Sequence, residues 1–129
     1  MITPTTSSVR ALCGIALLTV AIPALSACVP NDASEAEAVA VSSTNDACTL
    51  SSAQAAAGAV TFAVTNDGDD VTEFYVFASD GATVVSELED IGPGVTRELV
   101  VTLEAGDYVT ACKPGMVGDG IQSAFVVTP

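Results

Sequence analysis

Residues 59–66 read AVTFAVTN, and this octet decides the fold class. Val60, Phe62 and Val64 alternate with Thr61, Ala63 and Thr65, a period of two that half-buries a β-strand along one face. Downstream, NDGDD (residues 66–70) has the composition of a turn, and VTEFYVFAS (residues 71–79) is rich in aromatic and β-branched residues. The SDGA turn leads into TVVSELED, and IGPG (residues 91–94) breaks the chain again. The long run VTRELVVTLEAG then keeps Val95, Leu99, Val101 and Leu103 on one side, and DYVTAC and QSAFVVT follow it. Upstream, the alanine-rich SSAQAAAGA precedes a clear strand and is expected to be an edge strand. Seven short strands separated by turns predict an all-β fold, an antiparallel sandwich or barrel.

The N-terminal residues speak to location. Arg10 is the only charge before the apolar run 11–25, which is shorter than the ~20 residues of a membrane span and has the length of a secretory signal core. LSAC (residues 25–28) follows directly and resembles a bacterial lipobox. The expectation is a lipoprotein signal peptide over 1–27, lipidation of Cys28, and attachment to the extracytoplasmic face of the cell membrane. Residues 28–46 are acidic, Ser/Ala-rich and free of aromatics, a composition expected to form a flexible linker. The folded domain is expected over 47–129. Loss of Arg10 leaves Arg97 and Lys113 against 16 acidic residues, a formal charge of −14. Such a surface disfavours nucleic acid and attracts cations.

The segment GDYVTACKPGM (residues 106–116) ends a strand in a cysteine, a turn and a methionine, which is the arrangement of a copper-binding loop. Blue copper requires two imidazoles beside the thiolate, and the chain contains no histidine. Blue-copper electron transfer is thereby excluded. Once Cys13 leaves with the signal and Cys28 carries lipid, Cys48 and Cys112 remain. In an oxidising compartment an even pair is expected to form a disulfide. Closing a loop of this length contributes about 4 kcal/mol on the loop-entropy model. The alternative is a soft Cu(I) site of Cys48, Cys112 and Met116.

Several of these residues together resemble the cupredoxin-like domain of EfeO-type bacterial iron-uptake proteins. The matching features are Cys48, Gly58 before the strand with Phe62 and Asn66, TEF with Glu73, VVSELEDIGPG with Glu87, Glu89, Pro93 and Gly94, and LEAGDYVTAC ending in Cys112. The resemblance spans 47–128 and implies a cupredoxin-like Greek-key sandwich. It implies a metal role for the two cysteines, Cys48 and Cys112, and for the nearby Glu73, Glu87 and Glu89, with iron or copper as the ion. Iron-uptake permease or peroxidase components are the partners it suggests. Where the family often carries a second acid after the first, this chain has Tyr75. EfeO-type proteins also carry a large helical metal-binding domain after the sandwich, and this sequence ends at Pro129, so a free-standing copy of one module is expected.

The acids have a reading of their own. Glu87 and Glu89 are two apart on one strand and share a face, as do Glu73 and Tyr75 on the strand before. If these strands pair, carboxylates and a phenol converge, a donor set that suits hard cations. Arg97 is expected to pair with Glu87 or Glu89, and Asp67, Asp69 and Asp70 around Gly68 read as a hairpin turn. Lacking histidine and any Ser or Thr placed beside Lys113, the chain is not expected to be an enzyme. The function expected is a lipid-anchored metal-binding module of an iron-uptake system. The alternative is a metal-free cell-surface sandwich acting as a structural or interaction domain.

Overall fold

The computed structural model describes residues 37–129. The signal segment 1–27 and Cys28 lie outside these residues. Nine strands form: β1 (Val39–Ser43), β2 (Cys48–Leu50), β3 (Gln54–Ala56), β4 (Gly58–Asn66), β5 (Thr72–Ala78), β6 (Val84–Ile91), β7 (Thr96–Leu103), β8 (Gly106–Cys112) and β9 (Ile121–Thr128). They build two sheets, one ordered β2-β1-β4-β7 and the other β3-β9-β8-β5-β6. The chain crosses between the sheets after β2, β3, β4, β6 and β7, so neighbours in sequence are split across the two layers.

Strand β4 behaves as its sequence requires. Val60, Phe62 and Val64 are buried and the intervening residues are not. Phe62 meets Phe74 of β5 and Phe125 of β9 across the layers, each with ring centroids 5.2 Å apart. Three of the four phenylalanines thus meet at one point, with Val41, Leu99, Leu103 and Val127 around them. Burying each such ring contributes about 1.5–3 kcal/mol. The alanine-rich segment supplies β3, which lies at the edge of the five-stranded sheet, as expected.

Three expectations need correction. Residues 39–43, assigned to the flexible linker 28–46, form β1, and the folded domain therefore begins before residue 47. Val39 and Val41 point into the core while Ala40 stays exposed, a period-two pattern that small residues hide in the composition. The strand is held by parallel pairing with β4, from Val39 opposite Phe62 to Ser43 opposite Asn66. Strand β3 also pairs parallel, with β9, so the sandwich is mixed and not purely antiparallel. With β1 and β2 added to the expected set, the strands among the described residues number nine, not seven.

Strands β5 and β6 carry the irregularity that matters for the site. Thr72 faces Ile91 and Phe74 faces Leu88, so β6 holds one more residue than β5 between these pairs. Asp90 lies in this bulge with φ of 56°, a left-handed conformation that aspartate tolerates better than most residues. The bulge keeps both Leu88 and Ile91 in the core and leaves Glu87, Glu89 and Asp90 exposed.

Candidate functional site

At the end of β8, Cys112 is fully buried and bonded to Cys48, the first residue of β2, with Cα atoms 5.5 Å apart. The bridge joins the two sheets, and both sulfurs are consumed in it. The loop that follows is bound to the start of β5: Lys113 N donates to Glu73 O at 2.9 Å and Gly115 N to Val71 O at 2.8 Å. Met116, in the left-handed region at φ 55° and 46% exposed, turns outward in a short 3-10 turn, Pro114–Met116. Polar groups elsewhere in the core are paired. Asn66 Nδ2 donates to the carbonyls of Asp70 and Ile91, both at 2.7 Å, and its Oδ1 accepts from Gly68 N at 2.9 Å. Ser43 and Thr72 share a hydroxyl hydrogen bond of 2.9 Å. Among the described residues no buried side-chain nitrogen or oxygen lacks a partner. Copper of the blue type does not fit this end of the sandwich: there is no imidazole, the thiol is spent, and no orphaned donor points at a cation position. The soft Cys48–Cys112–Met116 site is corrected for the same reason, because a closed disulfide offers no thiolate.

The acids gather elsewhere, on the outer face of the five-stranded sheet. Tyr75 lies opposite Glu87, and Glu73 lies on the same face two residues before it, across from the bulge that carries Glu89. The Tyr75 hydroxyl donates to Glu73 Oε2 at 2.9 Å. Burial, then the hydrogen bond to Glu73 and the negative charges of Glu73, Glu87 and Glu89, push the phenol up to about 12. All three expected acids therefore act on one phenol. They do not close into a cluster, because among the described residues no three His, Cys, Asp or Glu side chains come together in a group able to hold a metal ion. Nor does Arg97 join a carboxylate: its Nη1 donates to the Glu89 backbone carbonyl at 2.6 Å. Asp67, Asp69 and Asp70 sit in a turn, but it carries the chain from β4 in one sheet to β5 in the other and closes no hairpin; there Ser42 Oγ donates to Asp67 and Asp69 N to Asn45 Oδ1.

Sequence reasoning missed what covers the phenol. Lys113 Nζ stands over the Tyr75 ring, 4.2 Å from its centroid. The Tyr75 and Phe77 rings stack at 5.3 Å with planes 4° apart. Together with Ala111 and Val109 they form a second small apolar cluster outside the main core. A pocket of about 550 Å³ opens beside the stack, walled by Val84, Lys113, Asp119 and Gln122. The signal was present in the unbroken apolar run Phe74–Phe77, which a strand solvated on one face would not need.

A family model of the cupredoxin-like domain matches residues 14–127. No curated protein sequence matches this chain. Among solved structures, the chain is similar to dithionite-reduced auracyanin from the photosynthetic bacterium Roseiflexus castenholzii, with a TM-score of 0.56 and 14% identity over 71% of this chain and 97% of that one. It is also similar to a multicopper oxidase, with a TM-score of 0.50 and 14% identity over 70% of this chain and 41% of that one. Identities this low speak to the fold alone. The chain belongs to the family of cupredoxin-like domains.

Proposed function

We propose that this chain is an extracytoplasmic cupredoxin-like module that carries no electron-transfer copper and serves as a structural or interaction domain at the cell surface. The observation behind this reading is the Cys48–Cys112 bridge in a chain without histidine: the one sulfur at the strand end belongs to a bond between the sheets. The apolar run ending in LSAC supports export and a lipid anchor at Cys28. No enzymatic activity is part of the proposal.

A second reading has its own support. The charges of Glu73, Glu87 and Glu89 converge on Tyr75, and the resemblance to EfeO-type domains suggests that these acids capture or relay a hard cation, ferric iron first, for an uptake permease. Carboxylate and phenol oxygens suit such an ion. Calorimetric titration of the purified protein with ferric citrate and with cupric ion separates the two readings. The first expects no saturable heat and no thiol titre from Cys48 and Cys112. Saturable binding of ferric ion that is lost in Glu87→Gln/Glu89→Gln would establish the second in its place. Attachment is tested separately: Cys28→Ala is expected to leave the protein released or unprocessed on cell fractionation.

A further inference from the structure

The pocket beside the Tyr75–Phe77 stack has three independently anchored walls. The turn between β5 and β6 forms one, and Asp80 shapes it: its Oδ1 accepts from Ala82 N and Thr83 N at 2.9 and 2.8 Å, and its Oδ2 from Thr83 Oγ1 at 2.6 Å. The loop from Lys113 to Asp119 forms the second. The start of β9 forms the third through Gln122, whose Nε2 donates to Gly81 O at 3.2 Å and to Asp119 O at 3.4 Å. Gln122 therefore ties all three segments together at the rim. The floor is two parallel rings that are almost wholly covered, Tyr75 at 8% and Phe77 at 5% exposure.

Charge sets the class of ligand. Lys113 is the only cation lining this pocket, while Asp119 stands in its wall and Glu73, Glu87 and Glu89 act on Tyr75 beside it. An anion would meet this field with a single lysine to receive it. A bare metal ion would find no three-donor group. What the floor already accepts is an alkylammonium: the Lys113 side chain places its Nζ 4.2 Å from the Tyr75 centroid, within cation–π range. We infer that this pocket is a binding site for a small organic ammonium ion, held against the Tyr75–Phe77 stack with Asp119 at the rim and with Lys113 as its internal competitor. Lys113 has a flexible stem, and swinging it outward uncovers the Tyr75 face without disturbing the backbone bond from its N–H to Glu73 O.

Tetramethylammonium chloride is the probe, read by tyrosine emission, because the chain has no tryptophan and only two tyrosines. Sodium chloride at equal ionic strength and the neutral isostere neopentyl alcohol (2,2-dimethylpropan-1-ol) are the controls. The intact protein is expected to show saturable binding of the ammonium ion and weaker binding of the neutral isostere. Lys113→Ala is expected to bind about 2–5-fold more tightly, the loss of one exposed cation–π competitor. Asp119→Asn, at an exposed position, is expected to bind more weakly with an unchanged melting temperature. Phe77→Leu is expected to weaken binding as well; should it not fold, the Lys113→Ala result still decides. Equal binding of the isostere, no gain in Lys113→Ala, or a response to tetramethylammonium no different from that to sodium would each overturn the inference.

Discussion

Strands β4 and β5 lie on opposite layers of one sandwich and treat their outer faces differently. On β4 the inward Val60, Phe62 and Val64 are buried, and the outward Thr61, Ala63 and Thr65 are small or hydroxylated and half-exposed. On β5 the inward Thr72, Phe74 and Val76 are buried, and so are the outward Tyr75 and Phe77. The four-stranded sheet therefore has one working face, the core. The five-stranded sheet has two: the core, and a small aromatic cluster beneath Lys113 with three glutamates around it. A phenol and a phenyl ring are buried here outside the main core.

The largest expected effect lies in the core itself. Phe62→Ala removes the ring that both Phe74 and Phe125 touch, and chemical denaturation is expected to report a loss toward the upper end of about 3–5 kcal/mol. Opening the bridge between the layers, by reduction or by Cys48→Ser/Cys112→Ser, is expected to cost about 4 kcal/mol, from the entropy of an unfolded chain no longer tied across 64 residues. Because the outer cluster is small, Phe77→Ala is expected to cost less than Phe62→Ala, toward the lower end of the same range of about 3–5 kcal/mol. Equal losses at the two positions would erase the distinction between the faces.

Titration sharpens the same contrast. Of the two tyrosines, Tyr75 is expected to ionise near pH 12 by ultraviolet absorbance, held there by burial and by Glu73, Glu87 and Glu89. Glu73→Gln is expected to lower that midpoint. Because the folded value lies above the unfolded one near 10, the contribution to stability is complete below pH ~10 and is lost as pH rises toward 12. The smallest effect belongs to the turn that walls the pocket. The Thr83 hydroxyl, then the backbone N–H groups of Thr83 and Ala82, hold Asp80 down at about 2. Its contribution is present above the ordinary value of 3.8 and is lost as pH falls through 2, and NMR titration of the turn amides is expected to follow that midpoint.

Much of the fold was legible in the sequence, and the reason is periodicity. The alternation in AVTFAVTN and the turn residues around it define strands from neighbours two positions apart, without reference to the rest of the chain. The copper question was equally local, because a chain with no histidine cannot supply imidazole wherever its strands run. Strand β1 was hidden, since Val39 and Val41 are too few and too small to stand out from an acidic, alanine-rich stretch; only parallel pairing with β4 makes them core.

The acids show where sequence reasoning stops. That Glu73 and Tyr75 share a face of their strand, and Glu87 and Glu89 a face of theirs, followed from the two-residue repeat of a strand. What they surround did not follow. That depended on the bulge at Asp90, on Lys113 arriving from β8, and on Arg97 reaching the Glu89 carbonyl rather than its carboxylate. The sequence by itself determined an all-β chain unable to assemble a blue-copper centre, because strand period and residue inventory are local properties. The Cys48–Cys112 bond was expected from the cysteine count and is present; folding added that it spans the two layers, and that Glu87, Glu89 and the Lys113 ammonium come to surround the Tyr75 phenol beside Glu73. Apart from the Glu73–Tyr75 hydrogen bond, these relations join residues separated in the chain, and their register is set by packing, which no local pattern encodes.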